Sequence, residues 1–210
     1  MKITVIGGTG LTGSAVVAEA ARRGHEVVSV SRSGGHAPGS TDANSTITDA
    51  RADLADTRAI VDLVNGSDAT VIAVSPDRTG GPVLPTVEAF EHLIAQRPVG
   101  RIIVVGGAGS LLDESGRMLV DSPDFPEDYR PEARAFAKIL DVLRAAGDEM
   151  PWTFISPAPA YPSEESTGAY VEAGDVPAGL HLSPADLAIA LVDEAERDAH
   201  RGARFTVASA

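Results

Sequence analysis

The chain opens with a short apolar run, Ile3-Thr4-Val5-Ile6. It breaks into Gly7-Gly8-Thr9-Gly10-Leu11-Thr12-Gly13 and then enters an amphipathic stretch closed by Gly24. Two glycine spacings overlap in that turn, Gly8-x-Gly10-x-x-Gly13 and Gly7-x-x-Gly10-x-x-Gly13. In either one, a glycine permits the tight turn, another lets a pyrophosphate approach the backbone, and Gly13 lets the helix pack closely on the strand. The helix start adds unpaired N–H groups and the positive end of its dipole. A strand, a glycine turn and a helix at the head of a βαβ unit form the setting in which this motif holds a dinucleotide. The turn residues expected to do so are Gly7, Thr9, Gly10, Leu11, Thr12 and Gly13.

The rest of the chain repeats that rhythm. Further strands are expected at Glu26–Val30, more weakly at Thr46–Ala50, then at Thr70–Val74, Arg101–Val105, Trp152–Ile155 and Phe205–Val207. Between them lie helices at Leu11–Arg23 and Asp56–Asn65, one carrying Val83, Val87, Phe90 and Ile94, and one opened by Pro131 and stopped by Gly147. The last helix starts at Ser183-Pro184-Ala185-Asp186, a serine N-cap with proline at N1 and an acid at N3. Strands that are short and almost wholly apolar are covered on both faces. Their alternation with helices predicts a doubly wound parallel sheet, the three-layer α/β/α Rossmann fold. Residues 1–210 read as a single domain with a small C-terminal substrate-binding portion. Two stretches, 107–130 and 157–182, exceed ordinary connections. Both follow strand C-termini, the edge at which open α/β sheets bind ligands, so they are expected to wall the substrate.

A formal net charge of −13 disfavours nucleic acid and anionic membranes as partners. It also means that an anionic cofactor must be gripped by a local arrangement against the field of the whole chain. With no cysteine, thiolate catalysis, thiolate metal sites and disulfides are excluded. No pair of the five histidines has metal-ligand spacing and the carboxylates do not cluster, so no metal is expected. No apolar run approaches the roughly 20 residues of a membrane span, and Met1-Lys2 leads into no signal-peptide pattern. The expected location is the cytoplasm and the expected partner a small-molecule substrate, with monomer and dimer both open.

A site that prefers NAD usually carries an acid at the end of the second strand. Here Ser31-Arg32-Ser33 stands in that place, and the next carboxylate is Asp42. Arg32 can pair with a 2′-phosphate and stack on adenine, with Ser31 and Ser33 as hydroxyl donors. NADP(H) is therefore favoured, and NAD(H) stays possible. His36, in the following loop, is a second group that could approach the phosphate. Asp53, in Ala52-Asp53-Leu54, reads equally as an acceptor for the adenine amino group and as the N-cap of the next helix.

Taken in order, several segments resemble the atypical short-chain dehydrogenase/reductase superfamily. They are Lys2–Gly13 (KITVIGGTGLTG), Arg32, Asp53-Leu54, Arg101–Leu111 (RIIVVGGAGSL), Ser156-Pro157 and Ser183–Ala188 (SPADLA). The resemblance is closer still to its small NAD(P)H-binding branch of NmrA-like and flavin or biliverdin-IXβ reductase-like proteins. It implies the Gly7/Gly10/Gly13 register and counts Asp53 and Leu54 among the cofactor-binding positions. It also implies that Val74, Ser75 and Pro157 line the nicotinamide side.

One departure bears on chemistry. Standard members of the superfamily catalyse through Tyr-x-x-x-Lys. Here the residues four beyond the tyrosines are Ala133, Glu165 and Gly174, and the lysines are Lys2 and Lys138. Alcohol–ketone chemistry and sugar epimerisation thereby lose their acid/base. Hydride transfer to an easily reduced acceptor needs little from the protein, because the cofactor carries the hard step. The second glycine run, Gly106-Gly107-Ala108-Gly109-Ser110, has no amphipathic helix behind it. It reads as backbone clearance beside the nicotinamide at Gly106, with Ser110 the hydroxyl best placed to orient a substrate or the cofactor amide. Tyr129 falls near the place of the superfamily's catalytic tyrosine and reads either as a hydrogen-bond donor or as packing beside Phe125. Among the histidines, His181 is the one to test for catalysis. The expected function is NADPH-dependent reduction of a small planar acceptor of flavin, quinone or tetrapyrrole type. The alternative is a non-catalytic NmrA-like redox sensor that keeps the turn and dispenses with the dyad.

Overall fold

The computed structural model describes residues 1–35, 46–77, 81–147, 149–163 and 165–210. Its strands are β1 (Lys2–Ile6), β2 (Glu26–Ser31), β3 (Ile47–Arg51), β4 (Ala69–Ile72), β5 (Ile102–Val105), β6 (Trp152–Pro157), β7 (Tyr170–Ala173) and β8 (Ala203–Ser209). They form one sheet in the order β3-β2-β1-β4-β5-β6-β8-β7, parallel throughout except for β7, which runs antiparallel to β8. The helices are α1 (Leu11–Arg22), α2 (Thr57–Asn65), α3 (Leu84–Ala95), α4 (Arg130–Ala146) and α5 (Pro184–Arg197). The chain lays β2 and β3 on one side of β1 and then crosses to β4 on the other, so the strand order reverses between β1 and β4.

The expected doubly wound α/β sheet is what forms, and the reason lies in the strands. Ile3 and Val5 of β1 enter one core with Val71, Ile103 and Ile155, closed by Val16, Val17 and Ala20 of α1 and Leu187, Leu191 and Val192 of α5. Ile6, Val30, Ile72, Val104 and Phe154 enter the other, closed by Ile60 of α2, Phe90 and Leu93 of α3 and Phe136 and Ile139 of α4. Strands buried on both faces must alternate apolar residues into two cores, which is why they read as continuous apolar runs. Among the described residues no helix is long and apolar enough to cross a membrane.

Two buried polar ties fasten α5. At its start, Ser183 caps the helix by accepting from the Asp186 N–H at 3.0 Å. The buried Asp186 carboxylate in turn accepts from Ser166 Oγ and Ser209 Oγ at 2.6 Å each, and from the N–H groups of Gly168 at 3.0 Å and Thr167 at 3.1 Å. Burial pushes this carboxyl up, but the hydrogen bonds outweigh it and hold the pKa at about 2. At the far end, Arg101 donates to the carbonyls of Glu194 at 2.6 Å and Ala195 at 3.2 Å and pairs with the Glu194 carboxylate. Thr153 Oγ1 and His200 also bond Glu194.

Three expectations change. The strand expected at Thr70–Val74 ends at Ile72, and Ala73 and Val74 beyond it line a crevice while the Ala73 N–H still donates to Ile6 O at 2.8 Å. The strand expected at Phe205–Val207 is longer, Ala203–Ser209. The stretch 157–182 contains β7, which extends the same sheet as an antiparallel edge. Its residues Tyr170-Val171-Glu172-Ala173 are half-buried or exposed, so no apolar alternation marks them. The other long stretch, 107–130, holds three single 3-10 turns, Ala108–Ser110, Leu119–Asp121 and Glu127–Tyr129.

Candidate functional site

At the C-terminal edge of β1, β2 and β4, where the strand order reverses, lies a crevice of about 420 Å³. The glycine turn forms one wall with Gly7, Thr9 and Gly10; Ser31 at the end of β2, Arg32 after it, Asp53 and Leu54 after β3, and Val74 to Asp77 after β4 line it as well. The turn is tied to β2 because the N–H groups of Gly7 and Gly8 both donate to Val30 O, at 2.8 and 3.0 Å. Gly7 has φ +89°, and a Cβ there would stand 2.5 Å from Ala73 O. A Cβ on Gly13 would stand 2.1 Å from Gly7 O, so only glycine lets α1 start this close to β1. Gly10 caps α1 without a side-chain bond, so the first-turn N–H groups are not closed off by a side chain. Gly8 is confined as well, a Cβ there standing 2.4 Å from Ser29 Oγ, so the space at the turn requires glycine in both overlapping registers.

At the β2–β3 end, Arg32 and Ser33 are exposed, and Arg32 lines the crevice while Ser33 stands just outside it. Ser31 Oγ accepts from the Gly34 N–H at 3.1 Å and so shapes the turn. A second guanidinium, not anticipated from sequence, lies alongside: Arg51 Nε donates to Arg32 O at 3.0 Å. The parallel register that sets Ser31 opposite Arg51 puts it there. The readable signal was a third strand pairing with the second, which brings the two strand ends together. Asp53 is not the helix cap. That role falls to Asp56, which accepts from the Ala59 N–H at 3.2 Å, while Asp53 accepts from the Ala55 N–H at 3.0 Å at the crevice wall. Leu54 is 6% exposed and forms part of the floor. His36 and Asp42 lie outside the described residues.

Beyond β5 and β6 the structure gathers fewer of the expected residues. Val74 and Ser75 line the crevice; Pro157 does not, being buried as the last residue of β6 opposite Val207. Leu11, Thr12 and Gly13 begin α1 behind the turn rather than lining the crevice. The clearance at Gly106 serves packing: a Cβ there would fall 2.0 Å from the Phe154 ring, and its N–H donates to Ile155 O at 2.9 Å. Gly107 likewise faces Phe136. This corrects the reading of that glycine run as room for a ligand.

Ser110 is buried in a separate cavity of about 100 Å³ with Asp175, Arg144 and Arg204. Arg204 reaches its Oγ and carbonyl at 3.5 Å. That places Ser110 apart from the crevice and corrects the expectation that it orients a substrate there. Tyr129 is 63% exposed just before α4, and Arg130 rather than Tyr129 covers the Phe125 ring, at 5.6 Å from its centroid. His181 is exposed, with its carbonyl accepting from the Ser209 N–H at 2.9 Å.

One residue near the turn was missed. The Tyr161 hydroxyl lies 2.5 Å from Thr12 Oγ1, although 149 positions separate them. No local pattern announces a contact of that span.

A doubly wound sheet with a glycine-only first βα turn, opening on a crevice at the strand reversal, defines a dinucleotide-binding protein of the Rossmann type. The crevice fits such a ligand, because Gly7, Thr9 and Gly10 line it and Gly10 opens α1 with no side-chain cap on the first-turn N–H groups. A family model described as NAD(P)H-binding matches residues 7–198, and the chain belongs to that family. Its cofactor is thus a nicotinamide dinucleotide. Over its full length the chain is 34% identical to the uncharacterized protein YwnB of Bacillus subtilis, of which it covers 99%. Among solved structures it is similar to SP1627 of Streptococcus pneumoniae, a candidate NADH-flavin reductase, with 36% identity, TM-score 0.82 and full coverage of both chains. A candidate epimerase from Bacteroides thetaiotaomicron is also similar, with 31% identity, TM-score 0.84 and coverage of 99% of this chain and 96% of that one.

Proposed function

We propose that the protein binds NADPH in preference to NADH and reduces a small planar acceptor of flavin, quinone or tetrapyrrole type. The observation that carries the cofactor preference is Arg32 at the β2–β3 end of the crevice, its backbone carbonyl held by Arg51 Nε at 3.0 Å. No carboxylate stands there to receive ribose hydroxyls among the described residues of Ser31 to Gly35. In this reading the uncapped first-turn N–H groups of α1 take the pyrophosphate, Leu54 packs on adenine, and Asp53 accepts from its amino group. Arg32, with Ser33 beside it, reads the 2′-phosphate. Val74 and Ser75 border the nicotinamide. The bound cofactor supplies the hydride; the chain orients it and the acceptor. Similarity to a candidate NADH-flavin reductase supports the acceptor class.

A second reading, a regulatory NAD(P)-binding protein of the NmrA type within the atypical dehydrogenase/reductases, is favoured by one observation. Both hydroxyls expected to assist chemistry, Ser110 and Tyr129, lie off the crevice. Titration of NADPH and NADH by cofactor fluorescence, followed by absorbance with flavins, quinones and biliverdin as acceptors, separates the two. Preference for NADPH by about tenfold or more, worth about 1.4 kcal/mol, is expected, with turnover of one acceptor class. Arg32→Asp should weaken NADPH far more than NADH, and equal loss would remove Arg32 as the phosphate reader. Tight binding with no turnover selects the regulatory reading, and binding of neither nucleotide overturns both.

A further inference from the structure

We propose that Arg51 is a positioning residue for cofactor choice: its Nε–H holds the backbone of Arg32 and so fixes the point from which Arg32 reaches the 2′-phosphate. The proposal rests on the reading of Arg32 as the phosphate reader.

The corner is built from two strand ends. β2 and β3 run parallel with Ser31 opposite Arg51, and the ladder closes where the Ala52 N–H donates to Ser31 O at 3.2 Å. Beyond Ser31 the chain leaves the sheet and turns back. The Gly34 N–H donates to Ser31 Oγ at 3.1 Å and to Ser31 O at 3.4 Å. Gly34 takes φ +69°, the left-handed conformation that favours glycine. These bonds join the two ends of the turn, and neither reaches the Arg32 carbonyl between them. Arg51 supplies that bond, with Nε donating to Arg32 O at 3.0 Å. Its stem lies along the same turn, since a Cβ on Gly34 would stand 3.4 Å from Arg51 Cβ and 3.9 Å from its Cγ and Cδ. Arg51 therefore clasps the turn twice, by contact at Gly34 and by a hydrogen bond at Arg32.

The side chain of Arg32 is left free for an anion. Arg23, Arg101 and Arg204 pair with carboxylates, whereas Arg32 lines the crevice, exposed, with no ion-pair partner among the described residues. Ordering such a residue on a phosphate costs conformational entropy in both main chain and side chain. With its carbonyl held, the main-chain part is already lost on folding and only the side-chain part remains. A fixed backbone also serves a bidentate guanidinium–phosphate contact, whose two parallel hydrogen bonds tolerate little displacement. NADH has no 2′-phosphate and makes no use of this preparation. Arg51 uses Nε for the task, and a glutamine amide nitrogen stands at the same place along the side chain. The hydrogen bond and the charge can therefore be separated.

Dissociation constants for NADPH and NADH are measured by cofactor fluorescence for wild type, Arg51→Met, Arg51→Gln, Arg32→Ala and the variant carrying both Arg32→Ala and Arg51→Met. Thermal melting confirms that each is folded. Arg51→Met keeps the stem and drops the donor, so it should weaken NADPH about 3- to 10-fold and leave NADH within about twofold of wild type. Arg51→Gln keeps the donor and drops the charge, so NADPH affinity should stay within about twofold of wild type. In the Arg32→Ala background Arg51→Met should have no further effect on NADPH, because Arg51 acts through Arg32. Unchanged NADPH affinity in Arg51→Met, equal loss of both nucleotides, a loss in Arg51→Gln as large as in Arg51→Met, or the same loss without the Arg32 side chain each overturns the proposal. A wild type with no preference for NADPH, or a preference that survives Arg32→Ala, overturns the cofactor reading and this proposal with it. A preference lost in Arg32→Ala but kept in Arg51→Met overturns this proposal alone.

Discussion

Replacing Asp186 by asparagine removes the charge on which three segments converge: the first turn of α5, the loop through Ser166–Gly168, and Ser209 at the end of β8. The side chain is fully buried, and burial alone would raise its pKa. Two hydroxyls and two backbone N–H groups instead hold it at about 2, below the ordinary 3.8. A carboxyl depressed in the folded state stabilises the fold above its unfolded pKa, and that stability is lost as pH falls through the folded value. Going from 3.8 to about 2 corresponds to about 2 kcal/mol. Asparagine keeps the shape but turns an amide N–H toward groups that are themselves donors, so at about pH 7 the variant should be destabilised by about 2–3 kcal/mol. Urea unfolding of wild type and variant at about pH 7, 5 and 3 measures the gap directly. It should be level between the first two and roughly halved at the third, where the wild-type charge is being lost from the unfolded chain first. A gap unchanged down to about pH 3 would show that the charge is not what holds these segments. A gap below about 0.5 kcal/mol at neutral pH would show that the network contributes almost nothing.

Two further substitutions test packing readings away from the ligand. Gly106→Ala drives a methyl to within 2.0 Å of the Phe154 ring, so it should lower unfolding stability by about 1–3 kcal/mol while leaving nucleotide affinity as in wild type; lost affinity at unchanged stability would return Gly106 to the ligand. Arg101→Met strands the buried Glu194 carboxylate and uncaps the last turn of α5, so urea unfolding should report a loss of about 3–5 kcal/mol. Since Arg101 precedes β5, at the edge opposite the crevice, NADPH affinity should not follow it down.

How far each part of the molecule could be read ahead of its coordinates follows from the distance over which its causes act. The order of strands and helices was legible because Ile3, Val5 and Ile6, or Ile102 to Val105, must feed two cores from one short run. The glycine turn was legible because its constraints are all local: Gly7, Gly10 and Gly13 answer to one another and to the adjacent strands. The edge strand β7 was not, since its residues bury too little to leave a periodic trace, and only β8 gives them a partner. The run at Gly106–Ser110 shows the limit most sharply. Its glycines correctly announce close approach, but what approaches is the ring of Phe154 or Phe136, and a sequence does not say which neighbour needs the room.

The same reasoning divides the crevice into two unequal halves. At the β2–β3 end, Ser31, Arg32 and Asp53 lie at or just beyond the ends of neighbouring parallel strands, so strand register places them together. In the reading proposed above, the nucleotide grip thus rests on strand pairing. The other end is walled by Val74 to Asp77 after β4, and the expected Ser110, Tyr129 and Pro157 proved to be elsewhere. The chain after β6 still meets the first turn of α1 at one point, where the Tyr161 hydroxyl lies 2.5 Å from Thr12 Oγ1.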